Sequence, residues 1–159
     1  MRLIFKKSFI NQEEGIRMYR FSGRSLENLT GVHPKLVSVV KSCMDMQVMD
    51  FSVVEGVRTK ERQKQFYDGG KSKTLKSKHL IQSDGYGHAV DLYPYPINMK
   101  EVNKGNAKEI ARFGVLSGVM LSCAKMHGVE IINGMDWNGD GETLDHNFFD
   151  APHFQIILT

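Results

Sequence analysis

The sequence predicts an α+β domain in which a small, mainly antiparallel sheet packs on helices. The first indication is a long stretch from Asn106 to His127, where apolar residues recur at helical spacing. The second is a set of short β-branched segments, such as Phe51 to Val57, between the helical patterns. The third is the length of 159 residues, which suits one domain with its own hydrophobic core.

The first half of the chain contains clear helix boundaries. Pro34 fits a first helical turn, and the apolar spacing after it predicts a helix that ends near Met49. Thr59 is typical of an N-cap, and Gly69-Gly70 is expected to stop the helix that follows it. Residues 71–86 are rich in Lys, Ser and Gly, which predicts a loop.

The second half is predicted to supply the rest of the sheet. Further strands are expected at His88–Tyr93, Val129–Ile132 and His153–Leu158. Residues 97–105 are expected to form a connection, and Gly134 to Asp150 a polar loop. Residues 1–20 are interpreted as an N-terminal extension, and residues 21–159 as the functional domain.

The charge distribution is uneven although the net charge is only +3. Residues 1–80 contain 16 Lys and Arg against 8 Asp and Glu, whereas the remainder contains 5 against 10. A basic half suits a polyanion such as nucleic acid or an anionic cell-wall polymer, or simply a solvated face. No aromatic residues interleave the lysines of 71–78, so nucleic acid is not an expected partner.

Cellular context is predicted from what the sequence contains. No apolar stretch approaches the roughly 20 residues of a membrane span, and the N-terminus has no signal-peptide pattern. We therefore expect a protein that is made in the cytoplasm and does not insert into a membrane. We also expect it to be a monomer. Cys43 and Cys123 lie in predicted helices and are expected to be reduced, buried thiols.

Three separated segments contain the residue types of a catalytic zinc site. His79, Asp91 and His153 are the candidate ligands, since neutral imidazoles and a carboxylate suit zinc, with iron(II) and manganese as alternatives. Asp150 is the candidate base, because hydrolysis by zinc also needs a nearby carboxylate that accepts a proton from water. His88 is close in sequence to Asp91, but an odd separation places the two on opposite faces of a regular strand.

Two further features belong to the candidate site. Arg58 follows a predicted strand, where a guanidinium suits an oxyanion or a substrate carboxylate as well as a surface ion pair. The polar loop resembles the start of a calcium loop, although Asn147 stands where a bidentate Glu is expected. Its candidate calcium ligands are Asp136, Asn138, Asp140, Glu142 and Asp145. Trp137 in the same loop is a candidate for stacking on substrate or for ordinary packing.

These motifs together resemble the zinc peptidases of the D-alanyl-D-alanine carboxypeptidase group, whose fold is shared with the hedgehog signalling domain. The pattern comprises Ser-x-His, Gly-x-Ala-x-Asp, a carboxylate three residues before a second His, and an upstream Gly-x-Arg-Thr followed by Gln. It falls here on Ser77, His79, Gly87, Ala89, Asp91, Asp150, His153, Gly56, Arg58, Thr59 and Gln63. Within that group the pattern resembles the phage endolysins that act as L-alanyl-D-glutamate peptidases.

The resemblance departs at one place. Gly87 lies eight residues after His79 where the family has three, so His88 is the reserve candidate for the first ligand. The resemblance implies a zinc enzyme that cuts the peptide stem of peptidoglycan for host lysis, with Arg58 in contact with substrate or oxyanion. The enzyme is expected to wait in the host cytoplasm until the membrane opens. The alternatives are a D,D-carboxypeptidase and a non-catalytic zinc-binding module of a wall-binding or virion protein.

Overall fold

The computed structural model describes residues 9–10, 17–145 and 147–158, and short strands alternate with helices along them. The helices are α1 (Gly23–Asn28), α2 (Pro34–Asp45), α3 (Lys60–Asp68), α4 (Met99–Asn103) and α5 (Ala107–Met126). The strands are β1 (Phe9–Ile10), β2 (Arg17–Met18), β3 (Phe51–Glu55), β4 (Ala89–Pro94), β5 (Glu130–Gly134) and β6 (Asp150–Ile157). The predicted α+β class is confirmed.

Four of the strands form the sheet that carries the candidate site. Their order is β3-β4-β6-β5, and every neighbouring pair is antiparallel. Strands β1 and β2 form a separate two-stranded ribbon. Most of the predicted extension, residues 1–20, lies outside the described residues, so the domain boundary stays a prediction.

Helices α2 and α5 cover one face of the sheet. Buried side chains from both helices and from three strands form one core, including Leu36, Val40, Leu116, Met120, Val53, Leu92 and Phe154. Side chains alternate along a strand, so the residues between these core positions project from the opposite face. Asp91 on β4 and His153 on β6 are such residues, and they are register partners on the paired strands.

Helix caps explain most of the confirmed boundaries. The Thr59 side chain accepts a hydrogen bond from the Arg62 amide at the start of α3. The Asn106 side chain accepts a hydrogen bond from the Lys108 amide at the start of α5. Gly128 follows the end of that helix and has a φ of 63°. The expectation of a helix that begins at Pro34 is also confirmed.

One predicted helix end was wrong, and two short helices were not predicted. Helix α2 ends at Asp45, several residues before Met49, where Gln47 adopts a φ of 55°. The segment 97–105 was expected to be a connection but contains α4, which the Asn98 side chain caps. Helix α1 was not predicted; the Ser22 side chain caps it.

The thiols of Cys43 and Cys123 are free and buried, as expected. They interact between α2 and α5, and burial, followed by the contact with Cys123, raises the pKa of Cys43 to about 12. Among the described residues, no helix combines the length and the apolar character needed to cross a bilayer.

Candidate metal centre and active site

Three side-chain atoms converge on the uncovered face of the sheet. His79 Nε2 lies 3.2 Å from Asp91 Oδ1 and 3.2 Å from His153 Nδ1, and the last two atoms are 3.3 Å apart. Ligands at about 2.0–2.1 Å from a tetrahedral zinc ion stand about 3.3 Å from one another. The three atoms therefore already have the spacing that a zinc ion requires, and they form a group able to hold a metal.

The outer nitrogen of each imidazole fixes which nitrogen faces the centre. His79 Nδ1 lies 2.7 Å from the Gly56 carbonyl oxygen, which can only accept, so Nδ1 carries the proton. His153 Nε2 lies 3.2 Å from Gln155 Oε1, which assigns the proton of that ring to Nε2. Two imidazole lone pairs and a carboxylate oxygen then face one point, an arrangement that a cation stabilises.

The pKa shifts of Asp91 and His153 also indicate that this group of side chains favours a positive charge. Burial raises the pKa of Asp91, but the interactions with His153 and His79, each of which donates a hydrogen bond to Asp91 when its ring is protonated, outweigh burial and hold that pKa well below the usual range. Burial lowers the pKa of His153, yet the hydrogen bond and charge of Asp91 raise it above the ordinary value. A proton or a metal cation between these groups relieves the concentration of acceptors.

The long loop after His79 leaves that residue in place. The His79 carbonyl accepts a hydrogen bond from the Arg58 amide at 2.9 Å, and the Lys78 carbonyl accepts one from the His88 amide at 2.7 Å. The extra residues form a turn of their own, in which the Gln82 amide donates to the Tyr86 carbonyl at 2.8 Å. Residues 80–87 do not line the cleft, and His79 stays beside Asp91 and His153.

His88, the reserve candidate, lies outside this group. Its Nε2 is 2.8 Å from Asp84 Oδ2, and its ring packs edge-on against His33 at 5.6 Å. Strand alternation separates it from Asp91, as the sequence indicated. The structure therefore brings His79, and not His88, together with Asp91 and His153.

Asp150 lies at the start of strand β6, not in the loop where it was expected. A register shift between Asn133 and Gly134 on β5 leaves an irregular segment of β6 between Asp150 and Phe154. The buried Asn133 amide donates to the Ala151 carbonyl at 3.0 Å and to the His153 carbonyl at 2.8 Å. This irregularity interrupts the alternation, so Asp150 and His153 line the same cleft despite their odd separation.

Asp150 has the electrostatic character of a proton acceptor. Burial raises its pKa above the ordinary value, and the negative charge of Asp91 raises it further. His153, His79 and Arg58 act in the opposite direction but do not cancel these effects. A carboxylate with a raised pKa is a stronger base near neutral pH than an exposed one.

Arg58 is buried beside the same group. Its guanidinium donates to both Glu55 oxygens, at 3.1 Å and 2.5 Å, and to Gln63 Oε1 at 2.7 Å. It also stacks on the Phe66 ring at 4.5 Å and has Nη2 at 3.8 Å from Asp91 Oδ2. The simple surface ion pair considered from sequence does not describe this anchored residue.

An aromatic pair lines the cleft. The Trp137 ring stacks on Phe148 at a centroid distance of 5.8 Å and lies 5.3 Å from the His153 ring. Its Nε1 donates to the Phe148 carbonyl at 2.7 Å. Trp137 therefore packs on a candidate ligand and also lines the cleft.

The calcium candidates form a loop closed by its own hydrogen bonds. Asp136 Oδ1 accepts from the Gly139 amide at 2.8 Å, and Oδ2 accepts from the Gly141 amide at 2.9 Å. Asn138 Nδ2 donates to Asp140 at 2.9 Å and to Asp145 at 3.1 Å. Within 17–145 and 147–158, these residues do not form a second group with the close ligand spacing of the His–Asp–His group. A calcium site here stays a prediction.

Supporting residues were the part that the sequence analysis missed. Gln155 is two residues from His153 on one strand, so the period of two identifies it as a neighbour on the same face. Glu55 reaches Arg58 because a register shift follows Val53, and no sequence pattern marks that shift. Asn133 was assigned no role, because it stands between the predicted strand Val129–Ile132 and the polar loop that begins at Gly134.

Comparisons with known proteins agree with this geometry. The sequence model of a family described as phage L-alanyl-D-glutamate peptidase matches residues 17–157. The L-alanyl-D-glutamate peptidase of Escherichia phage T5 is 27% identical over 145 residues, which cover 87% of this chain and 98% of the relative.

A solved structure is similar over nearly the whole length. The crystal structure of the L-Ala D-Glu endopeptidase ChiX from Serratia marcescens matches with a TM-score of 0.68 and 31% identity. The match covers 94% of this chain and 96% of that chain. Fold, site geometry and sequence agree, and the chain belongs to the phage L-alanyl-D-glutamate peptidase family.

Proposed function

We propose that this protein is a phage endolysin-type metallopeptidase that hydrolyses the L-alanyl-D-glutamate bond in the peptide stem of bacterial peptidoglycan. The observation that carries the proposal is the convergence of His79, Asp91 and His153 beside the buried carboxylate of Asp150. Membership of the peptidase family supplies the substrate class. The arrangement contains the ligands and the base that metal-assisted amide hydrolysis needs.

Zinc is the metal that we propose for this centre. His79, Asp91 and His153 would hold it through two nitrogens and one oxygen, whose mutual distances of 3.2–3.3 Å suit zinc. A zinc ion held there would polarise the scissile carbonyl and make a water molecule more acidic. The Gly56 carbonyl and Gln155 would keep both imidazoles in the tautomers that ligation requires.

The remaining residues of the site supply proton transfer and positioning. Asp150 accepts the proton of the attacking water and passes it to the nitrogen of the leaving D-glutamate. Arg58 stabilises the negative charge that develops on the carbonyl oxygen, or binds a substrate carboxylate. Its hydrogen bonds with Glu55 and Gln63 hold the guanidinium in one orientation.

Product analysis tests the proposed bond. Purified muropeptides are incubated with the protein, with and without a zinc chelator, and products are identified by mass spectrometry. New glutamate amino termini that disappear with the chelator and return with zinc are the expected result. Release of terminal D-alanine would indicate a D,D-carboxypeptidase, and zinc binding without any new amino terminus would indicate a non-catalytic module.

The cellular setting completes the proposal. An enzyme of phage lysis made in the host cytoplasm meets the wall after the membrane is opened, and we propose that route here. A monomeric state, the absence of a nucleic-acid partner and a regulatory calcium ion at 136–145 stay predictions. Calcium, if bound, would order the loop that leads into Asp150, since that loop ends at the start of β6.

A further inference from the structure

The cleft at the candidate metal centre is lined by two unlike groups of side chains. Trp137 and Phe148 line it together with His79, Asp150 and His153. The second group is the basic wall, defined here by the four lysines of the loop after α3: Lys71, Lys73, Lys76 and Lys78. All four side chains belong to exposed residues and line the same cleft as the candidate base.

The positive charge of the basic wall is not matched within the cleft. Among the described residues, no Asp or Glu forms an ion pair with Lys73, Lys76 or Lys78, and Asp150 is the one carboxylate that lines the cleft. Arg58 differs, because Glu55 already compensates its charge. A ligand that enters the cleft therefore meets uncompensated lysines.

The basic wall is attached to the site by a buried side chain. Gln63 is fully buried, and its amide nitrogen donates to the Thr74 carbonyl at 2.6 Å and to Ser72 Oγ at 2.9 Å. Its oxygen accepts from Arg58 Nη1 at 2.7 Å. One amide thus fixes the loop that carries the lysines relative to Arg58, so the wall has a defined position beside the centre.

The substrate of the proposed function supplies a matching charge. D-Glutamate has two carboxyl groups, and a peptide chain that continues beyond it uses one of them. The other stays a free carboxylate unless it is amidated. We propose that the basic wall is the subsite for this free carboxylate, so that the enzyme distinguishes stems with D-glutamate from stems in which that carboxyl is a carboxamide. This inference rests on the proposed function.

Two soluble peptides that differ only at this carboxyl test the inference. Both contain the L-Ala–D-Glu bond and a following residue, and one has the carboxamide in place of the free carboxylate. Binding is measured in the Asp150→Asn variant, which is expected not to consume the peptides and serves as the parent protein in all binding comparisons. The fluorescence of Trp137 reports occupancy, because it is the sole tryptophan and lines the cleft.

Charge-removing variants assign the preference to the wall. The test variant replaces three lysines by glutamine: Lys73→Gln, Lys76→Gln and Lys78→Gln. The control variant makes the same change in net charge on exposed lysines of α2 and α5 outside the cleft: Lys41→Gln, Lys108→Gln and Lys125→Gln. Each substitution is combined with Asp150→Asn for binding and made alone for cleavage.

The expected result is a preference of about tenfold for the free carboxylate, since three exposed charge pairs each contribute modestly. The test variant should bind both peptides alike, and the control variant should keep the preference. Equal binding of the two peptides by the parent protein would overturn the inference, as would a preference that survives in the test variant.

Failure of the proposed function gives a different pattern. If the protein with Asp150 intact cleaves neither peptide, the proposed function fails, while the binding comparison still decides the subsite. If the test variant loses adsorption to intact peptidoglycan but the two soluble peptides bind the parent alike, the wall serves only general adsorption. That outcome also overturns the inference.

Discussion

The hydrogen bond between Gln155 and His153 should set the affinity of the centre for zinc. In Gln155→Leu, His153 Nε2 loses its acceptor at 3.2 Å, so the ring no longer has a fixed tautomer. Loss of such a partner lowers metal affinity by about 10- to 100-fold. Because 3.2 Å is at the long end of the hydrogen-bond range and both groups are neutral, we expect about tenfold, or about 1.4 kcal/mol.

Gln155→Glu should act in the opposite direction. A carboxylate accepts the Nε2 proton more strongly than an amide oxygen and makes the opposite nitrogen a better donor to a cation. We therefore expect tighter zinc binding in this variant than in the parent. The two substitutions at position 155 are thus expected to change the affinity for zinc in opposite directions.

Competition with a chromophoric chelator measures the zinc dissociation constant of each variant. Gln65→Leu on the exposed face of α3 is the matched control, and its affinity should equal that of the parent. Thermal unfolding of the metal-free proteins reports whether folding itself has changed. An unchanged dissociation constant in Gln155→Leu, or weaker binding in Gln155→Glu, would refute the reasoning.

Three further predictions concern the region around Asp150. A Cβ at Gly134 would lie 2.3 Å from the Asp150 carbonyl oxygen, so Gly134→Ala should lower the free energy of unfolding by about 1–3 kcal/mol and reduce turnover. A Cβ at Gly114 on α5 would meet no atom within 4 Å, so Gly114→Ala should instead stabilise the protein by about 0.5–1 kcal/mol in denaturant titrations. Equal losses of stability in the two variants would contradict the packing argument. Asp150→Asn should stabilise the metal-free protein near neutral pH, because the raised pKa of Asp150 means that its ionisation destabilises the folded state. The difference in melting temperature between Asp150→Asn and the parent protein should vanish at pH values below the ordinary pKa of a carboxyl group, because Asp150 is then protonated in both the folded and the unfolded protein. A difference that stays constant with pH would contradict this prediction. Calcium should raise the melting temperature if it binds residues 136–145, and equal melting with calcium and with a calcium-selective chelator would remove that prediction.

The sequence predicted the parts of the fold that depend on local chemistry. Apolar spacing identified α5, and the predicted cap at Thr59 marked the start of α3 to the residue. Short elements escaped, because α1 and α4 have six and five residues and hence little periodicity. Their existence depends on capping and on tertiary contacts, as Asn28 shows by donating to the Val53 carbonyl of β3 at 2.9 Å.

The candidate site was predictable where strand alternation applies and less so elsewhere. Asp91 and His153 follow from the period of two, and His88 is placed on the other face by the same rule. The position of Asp150 depends on an irregular segment of β6 that Asn133 stabilises, and a pattern of single residues does not reveal it. The location of His79 depends on backbone hydrogen bonds around the inserted turn, and the sequence does not reveal these bonds.

The most direct test of the central claim compares the parent protein with Asp150→Ala on purified peptidoglycan. Products are analysed by mass spectrometry, and zinc content and thermal unfolding confirm that the variant is folded and loaded. The account predicts new glutamate amino termini with the parent protein and a loss of about 100-fold or more in their rate of formation with the variant. Undiminished cleavage of the L-alanyl-D-glutamate bond by Asp150→Ala would contradict it.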